Sequence, residues 1–368
     1  MKKFETIESL RAWMAWWVVV GHSMQLTGLS YRNVDGGGVL YYLMVLLERG
    51  FTAVNTFIIV SGFVITHLLL VKRETYFLYI KRRWLRVYPI FIISLFVAIL
   101  VQPLYLEAYT TYPWVYAGEM RLDRVLEEQN NYLYHMVLHL TLMHGIVPEE
   151  ILKFSSSTFL APAWSLSLEW QFYLIAPVLI FGLINRGRWK FFWIVIILCL
   201  LIFFFKEQNA YSWKYSSILI LGLPHFLIGI GCRFLFEENR LAKIKGFSMV
   251  AAGFLFVDYL ALLIWMVFLL IALYENGSIH FPKYLALIAR FLALNKFTVT
   301  LGTLSYSTYL LHIPVFSLIV GGCSVFVGGG LSQYAVVALV SLSILVMFPL
   351  SYLSYKWIEL PFVRFGKN

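Results

Sequence analysis

Besides Glu8 at its start, two ionisable side chains lie in the first apolar stretch of this chain, residues 8–29. Arg11 and His22 are eleven positions apart. In an α-helix eleven residues make about three turns and rise ~16 Å, so both side chains would lie on one face. Ionisable groups inside a membrane span are unfavourable by a few kcal/mol and usually serve a function. An imidazole can act as a general base or carry an acyl group, so we predict such chemistry at His22.

Glu169 is the candidate partner of His22. It lies in the apolar segment 158–177. By helix rise, Glu169 is predicted to lie ~10 Å below the outer end of its helix, and His22 is predicted to lie at about the same depth in the first helix. A carboxylate and an imidazole at equal depth in a membrane are expected to pair, and the carboxylate would fix the histidine tautomer. The alternative is a structural hydrogen bond of Glu169 beside Trp164 and Ser165.

Three arginines, Arg82, Arg83 and Arg86, stand at the start of the third apolar segment. Arg83 and Arg86 are three residues apart and share a helical face, whereas Arg82 projects differently. Guanidinium groups bind phosphate through paired hydrogen bonds, so this cluster predicts a phosphate site. Anchoring by basic residues at the cytoplasmic surface, or contact with anionic lipid, would explain the same positions.

A polar stripe crosses segment 301–316 and contains Ser305, Tyr306, Tyr309 and His312. Tyr309 and His312 are three residues apart and share a helical face. We take three members of this stripe, Tyr306, Tyr309 and His312, as candidate substrate-binding residues. Trp164, from segment 158–177, is a fourth candidate.

The composition is that of a membrane protein. The chain has 368 residues, of which 61% are hydrophobic and 13% charged, whereas soluble domains are about 25% charged. A spanning helix needs roughly 20 apolar residues. This measure predicts an all-α, polytopic fold with ten spans, at 9–29, 50–71, 85–106, 161–184, 190–206, 215–236, 246–274, 280–296, 298–320 and 331–356. Asp258 would lie near the middle of the seventh span and needs a partner that the sequence does not identify.

Charge predicts the orientation. Lys and Arg are about twice as frequent in the loops on the side of the N-terminus, so both termini are predicted to be cytoplasmic. The net charge of +10 is then explained by these loops, and no nucleic-acid partner is expected. The three cysteines have no paired spacing, so neither a disulfide framework nor a metal site is expected.

In order along the chain, these stretches resemble the acyltransferase-3 family of bacterial membrane O-acyltransferases. The shared features are Arg11 and His22 with ten residues between them, the SGF at 61–63, the Arg83/Arg86 pair, the WSLSLEWQFYLIAP block, the SYSTYLLH block and the segment 355–361. The resemblance implies a single domain over residues 1–368 with about ten transmembrane helices. It also implies transfer of an acyl group, commonly acetyl from acetyl-CoA, to a hydroxyl of an extracytoplasmic glycan or another small acceptor.

The resemblance implies functional roles for Arg11, His22, Arg83 and Arg86. We expect the arginines of the 82–86 cluster to hold the phosphates of acyl-CoA, and the pantetheine arm to pass Arg11. His22 would act as general base or as acyl carrier, assisted by Glu169. The expected location is the bacterial inner membrane, in contact with lipid.

Other functions remain open at this stage. A transporter or flippase for a glycan or small molecule could use the same buried charges, although the sequence shows no inverted repeat. A non-catalytic membrane sensor is a third interpretation. Some family members carry an additional SGNH hydrolase-like domain; the sequence to Asn368 shows none, so we expect this chain to act alone or with a separate partner. The acceptor, the acyl length and the presence of a homo-oligomer are left undetermined.

Overall fold

The computed structural model describes residues 5–34, 36–72, 74–184, 187–208, 212–213 and 215–367, and these residues form helices and connecting turns without any strand. The helices are α1 (Glu5–Thr27), α2 (Val39–Leu47), α3 (Gly50–Val71), α4 (Tyr76–Leu100), α5 (Gln102–Thr110), α6 (Gly118–Asn130), α7 (Tyr132–Leu140), α8 (Trp164–Ile184), α9 (Arg188–Gln208), α10 (Leu219–Leu235), α11 (Arg240–Phe254), α12 (Tyr259–Glu275), α13 (Lys283–Leu292), α14 (Lys296–Phe316), α15 (Gly322–Phe326), α16 (Gln333–Ser354) and α17 (Leu360–Phe365). The predicted all-α fold is confirmed.

Six helical stretches are long and apolar enough to cross a membrane. They are Gly50–Val71, Tyr76–Leu100, Ala161–Leu183, Arg188–Gln208, Lys283–Phe326 and Gln333–Phe365. Two shorter apolar helices, α10 and α12, accompany them. The chain is therefore an integral membrane protein, and the count of ten spans stays a prediction.

Two predicted spans differ from the helices observed. The segment 246–274 is divided between α11 and α12, and the break falls at Asp258. The Asp258 carboxylate accepts hydrogen bonds from the backbone N–H groups of Leu260 and Ala261, so it caps α12 and does not lie inside a span. The hydroxyl of Thr52 on α3 donates to the same carboxylate at 2.7 Å, which supplies the partner that the sequence did not identify.

The eighth predicted span, 280–296, contains only the ten-residue helix α13. A helix of this length rises ~15 Å, which is about half of the hydrocarbon thickness. Lys283 and Arg290 lie within it.

α1 lies among other helices and runs parallel to α14. Near one end the hydroxyls of Ser9 and Thr298 are 2.9 Å apart, and near the other end His22 lies beside His312. A Cβ on Gly302 would stand 1.9 Å from the carbonyl oxygen of Glu8, so only glycine allows this approach. α1 is not among the six candidate spans, because its polar residues face neighbouring helices and lower its hydropathy.

α3 is held tightly against α10, and α8 lies beside both. A Cβ on Gly229 would stand 2.1 Å from the carbonyl oxygen of Ile59, so the two backbones are almost in contact. On the adjacent face of α3, Ser61 donates a hydrogen bond to Glu169 of α8. α3 and α8 thereby form one wall beside the parallel pair α1 and α14.

The two termini of the described chain lie at the same end of the bundle, here called the terminal end. α16 runs opposite to α14, since Gln333 at its start bonds the carbonyl of Thr27 and Ser354 at its end bonds Ser307. The chain then returns to the start of α4, where Arg82 donates to the carbonyl of Gly366. The opposite end, here called the far end, is where α1 finishes and where α5, α6 and α7 lie.

Candidate active site

A cavity of about 270 Å³ lies between α1, α3, α4, α8 and α14. Six of the residues predicted from the sequence line it: Arg11, Arg83, Arg86, Glu169, Tyr306 and Tyr309. The remaining polar lining comes from Glu8, Ser61, Ser165, Tyr173 and Ser305, and the rest is mostly aliphatic. The cavity is therefore lined by three arginines, two glutamates and a few hydroxyl groups, with mostly aliphatic side chains elsewhere.

Arg83 and Arg86 place two guanidinium groups in the cavity from one face of α4. Both side chains are half-buried, and neither has a hydrogen bond or a carboxylate within 4 Å among the described residues. The Nε atom of Arg83 is buried without any partner. Buried guanidinium donors without protein partners are unfavourable unless a ligand completes them, so the pair is suited to an anion.

Arg11 adds a third guanidinium at the terminal end of the same cavity. It lies 4.0 Å from Glu8, one turn earlier on α1. Glu8, Glu359 and Glu169 are the carboxylates whose charges act most strongly on Arg86. Three guanidiniums thus share the cavity with acidic groups that balance them in the absence of a ligand.

Glu169 belongs to this cavity and is not the hydrogen-bond partner of His22. Its carboxylate accepts hydrogen bonds from Ser61 at 2.9 Å and from the hydroxyl of Tyr173. Ser165 lies at the level of Tyr309; Glu169 is one turn from Ser165 towards the terminal end. His22 and His312 lie one turn beyond Tyr309 towards the far end. The predicted equal depth is thus wrong by roughly 10 Å of helix rise.

Tyr309 forms the wall of the cavity nearest the far end. Its hydroxyl donates to the carbonyl of Pro162 at 2.9 Å and lies 2.9 Å from the hydroxyl of Ser165. Tyr306, one turn earlier, bonds the carbonyl of Val87 on α4 at 3.3 Å. These bonds fix two aromatic side chains across the cavity between α4, α8 and α14.

His22 and His312 form an imidazole pair behind Tyr309. Their ring centroids are 5.2 Å apart. His312 is fully buried; its Nδ1 donates to the carbonyl of Tyr309 at 2.8 Å, and its Nε2 has no partner. His22 is half-buried and does not line the cavity. The order of groups from the cavity outward is therefore Tyr309, His312 and His22.

Like His22 and His312, two further predicted site residues lie outside the cavity. Arg82 donates to the carbonyl of Gly366 at 2.8 Å and pairs with Glu74, so it binds the C-terminal segment. Trp164 is buried in an aromatic stack with Tyr215, at 5.4 Å between ring centroids. Neither side chain lines the cavity.

The sequence analysis missed two arginines of α6, Arg121 and Arg124. Both are buried at the far end, only 6% exposed, and their charges act on His22. Arg121 donates to Gln25, one turn after His22 on α1. Their spacing repeats that of Arg83 and Arg86, which was the signal available in the sequence.

Three other histidines, His135, His139 and His144, are buried in the layer at the far end. The rings of His139 and His144 stack with centroids 4.1 Å apart. Burial lowers the pKa of His144 to about 4, so it is neutral at physiological pH. In the described ranges no group of three or more His, Cys, Asp or Glu side chains could hold a metal ion. Within the part of the chain that the structure describes, each of these three histidines keeps one ring nitrogen buried without a hydrogen-bond partner.

The fold and the cavity define a helical membrane protein with an internal cavity lined by arginines and a nearby imidazole pair. The family model described as "Acyltransferase domain" matches residues 4–356, nearly the whole chain. The chain belongs to this acyltransferase family, as its sequence features predicted.

Similar proteins occur in Staphylococcus aureus strains COL, MW2 and Mu50. Each carries the name "Putative O-acetyltransferase" and is 26% identical to this chain over 359 residues. The match covers 90% of this chain but 56% of each relative, so the chain spans little more than half the length of these relatives. No solved structure matches the chain.

Proposed function

We propose that this chain transfers an acyl group, in the first instance acetyl, from acyl-CoA to a hydroxyl of an extracytoplasmic or lipid-linked glycan. The observation that carries the proposal is the cavity in which Arg83 and Arg86 expose guanidinium donors without protein partners. Membership of the acyltransferase family and the names of the relatives support the same reaction type.

In this proposal the phosphates of the donor bind Arg83 and Arg86, because paired N–H donors match phosphate oxygens. Arg11, in the same cavity, adds positive charge beside the pantetheine arm. The aliphatic part of the wall is suited to that arm and to the acyl group. Arg82 has a structural role at the C-terminal segment and is no longer proposed as a phosphate ligand.

The reaction itself is proposed to take place at His22. The acceptor hydroxyl attacks the thioester carbonyl, an O–C bond forms and the C–S bond breaks. His22 takes the hydroxyl proton and returns it to the departing thiolate, which gives an ester and free CoA. In a variant of this mechanism the acyl group is first carried on His22 itself. Since Tyr309 and His312 lie between cavity and His22, the thioester has to pass the ring of Tyr309.

Glu169 is proposed to act within the donor cavity and not as the partner of His22. Its negative charge faces the arginines when no donor is bound. The substrate roles of Tyr306, Tyr309 and His312 remain proposals, and Trp164 is proposed only as part of the aromatic stack that positions the start of α8.

The chain is further proposed to form one domain in the bacterial inner membrane, with ten crossings and both termini in the cytoplasm. The crossings would be α1, α3, α4, α8, α9, α10, α11, α12, α14 and α16. This arrangement would put the arginine cavity next to cytoplasmic acyl-CoA. The apolar surface of helices such as α9 would face lipid.

The test uses inverted membrane vesicles from a bacterium that makes the protein, supplied with radiolabelled acetyl-CoA. We expect label in lipid-linked or polymeric glycan that is released by mild alkali, as an oxygen ester is. His22→Ala should abolish this signal while CoA binding is kept. Persistence of the signal in His22→Ala would refute the role of the imidazole.

The donor site has a matched control on the same helix. Arg83→Gln together with Arg86→Gln should raise the KM for acetyl-CoA at least tenfold. Lys81→Gln removes a charge from an exposed position of α4 and should leave KM unchanged. Equal effects of the two changes would mean that only the general surface charge matters, and would overturn the phosphate assignment.

A further inference from the structure

The orientation of the Gln25 side-chain amide is fixed by Arg121. The Nη2 atom of Arg121 lies 3.0 Å from one terminal atom of Gln25. A guanidinium can only donate hydrogen bonds, so that atom of Gln25 has to be the carbonyl oxygen, Oε1. Arg121 thus determines which end of the amide points towards α6.

The same oxygen fixes the tautomer of His22. Nδ1 of His22 lies 3.3 Å from Oε1 of Gln25. Because a carbonyl oxygen only accepts, Nδ1 has to carry the hydrogen, and in the neutral imidazole Nε2 then carries the lone pair. Among the described residues Nε2 of His22 has no hydrogen-bond partner, so it is the nitrogen left available as a base.

The contact between α6 and the end of α1 is held at several points. The backbone N–H of Tyr116 donates to the backbone carbonyl of Gln25 at 3.0 Å. Nε of Arg121 in turn donates to the carbonyl of Tyr116 at 3.1 Å. Between them Ala117 adopts a left-handed conformation with φ of 58°, which is unfavourable for a residue with a Cβ and is tolerated where the surroundings demand it. Both the backbone and the side chain of Gln25 are therefore held from α6.

The groups that face His22 come from two other helices. α14 contributes His312, and α6 contributes the charges of Arg121 and Arg124. Arg121 has no carboxylate within 4 Å in the described ranges; its side-chain bonds go to Tyr116, Tyr105 and Gln25, and its guanidinium lies over the ring of Tyr109. A buried cation whose hydrogen-bond partners are all neutral is energetically unfavourable as a means of holding two helices together. The unfavourable burial of Arg121 therefore indicates that this arginine does more than pack α6 against α1.

We propose that Gln25 and Arg121 are positioning residues, which hold His22 with its hydrogen on Nδ1 and with Nε2 free to accept a proton. The kinetic effects expected from this inference rest on the proposed function. The expected tautomer of His22 does not. Without Arg121 the Gln25 amide can rotate and present its NH₂ group to His22. The hydrogen then moves to Nε2, and the base is lost.

The kinetic test compares single and double variants in the vesicle assay. Arg121→Met should lower kcat about tenfold or more, by analogy with other histidine bases held in the wrong tautomer, with no change in the KM for acetyl-CoA. Gln25→Glu in the same chain should restore most of the rate, because a carboxylate has no NH₂ group and accepts from Nδ1 in either orientation. A purely structural role of Arg121 predicts no rescue.

Arg124→Met is the matched control for this rescue. It removes an equally buried guanidinium from the same helix, one that bonds Tyr105 and not Gln25. Any loss caused by Arg124→Met should therefore not be rescued by Gln25→Glu. Rescue of both variants alike would overturn the inference.

A spectroscopic test separates this inference from the proposed function. ¹⁵N NMR of histidine-labelled protein distinguishes the two tautomers, and the His22 signals can be assigned by their loss in His22→Ala. We expect hydrogen on Nδ1 in the natural chain and on Nε2 in Arg121→Met. That result would support the positioning role even if acetyl-CoA proves not to be the donor. An unchanged tautomer in Arg121→Met would refute it, even if acyl transfer is demonstrated.

Discussion

The carboxylate of Glu169 shares its cavity with the guanidinium groups of Arg83 and Arg86. An incoming donor would bring phosphate charge into the same space. If the donor binds there as proposed, Glu169 would stabilise the empty cavity, oppose the bound donor and so help to set donor affinity.

Glu169→Gln should consequently tighten donor binding. The amide oxygen can still accept from Ser61 and Tyr173, so the fold is expected to be unaffected. Removal of one partly screened charge is worth roughly 1 kcal/mol, so the KM for acetyl-CoA should fall about fivefold with little change in kcat.

Glu238→Gln is the control for this prediction, because it removes a carboxylate from an exposed position outside the cavity. Steady-state kinetics on the two variants provide the measurement. A large fall in kcat for Glu169→Gln at unchanged KM would instead indicate that Glu169 serves His22, and would contradict its assignment to the donor cavity.

At the residue scale the sequence predicted the members of the site better than their contacts. Periodicity correctly placed Arg83 and Arg86 on one face of a helix, because this depends only on local geometry. The pairing of His22 with Glu169 required knowledge of how α1 and α8 are shifted along one another. That shift depends on distant contacts such as the bond between Tyr309 and Ser165, which no local pattern encodes.

At the scale of elements, the parallel pair α1 and α14 is the feature on which the site depends. α1 carries Arg11 and His22, and α14 carries Tyr306, Tyr309 and His312. Their approach is set at Gly302, where the backbone of Glu8 occupies the space of a Cβ. Separation of these two helices would displace the donor cavity and the imidazole pair together.

Gly302→Ala is expected to destabilise the protein by roughly 1–3 kcal/mol, as overpacking does in well-packed interiors. It should also weaken CoA binding, since Arg11 moves with α1. Gly182→Ala is the matched change, because no atom lies within 4 Å of the added Cβ in α8. The free energy of unfolding of that variant should be unchanged or higher by up to about 1 kcal/mol, because alanine has a higher helix propensity than glycine.

Thermal unfolding of the detergent-solubilised variants, followed by CoA titration, provides the measurement for this pair. Equal melting behaviour of Gly302→Ala and Gly182→Ala would show that α1 and α14 can separate without strain. The packing argument would then be wrong.

Helix boundaries were predictable where apolar length decided them, as for α3, α8 and α9. They were not predictable where polar residues sit inside the bundle. α11 and α12 together resembled one span because Asp258 was assumed to lie in lipid, whereas it caps a helix and bonds Thr52. The hydropathy of α1 is low because it carries polar residues inside the bundle; Thr6 and Ser9 bond neighbouring segments, whereas Ser23 and Thr27 bond carbonyls of α1 itself.

At the scale of the whole molecule, the arrangement has two distinct ends. The terminal end holds the start of α1, the start of α4 and the last described residues, tied together through Arg82 and Gly366. The far end holds α5, α6 and α7, with the imidazole pair beneath them. The proposed function requires the terminal end to face the cytoplasm.

Cysteine labelling tests this orientation. In a variant without Cys199, Cys232 and Cys323, we expect a cysteine at Ile151, which is 76% exposed between α7 and α8, to react with an impermeant maleimide in intact cells. A cysteine at Lys81, exposed at the terminal end, should react only after the membrane is opened. The reverse pattern would invert the proposed topology and leave the arginine cavity without access to cytoplasmic CoA.

The side chain of Tyr309 lines the cavity. The main-chain carbonyl of Tyr309 accepts a hydrogen bond from Nδ1 of His312. Rotation about side-chain bonds moves the ring and hydroxyl but leaves the carbonyl within the helix. For the proposed passage of a thioester, the Tyr309 ring would rotate and its hydroxyl would leave Pro162 and Ser165, while the imidazole of His312 keeps its hydrogen bond to the Tyr309 carbonyl.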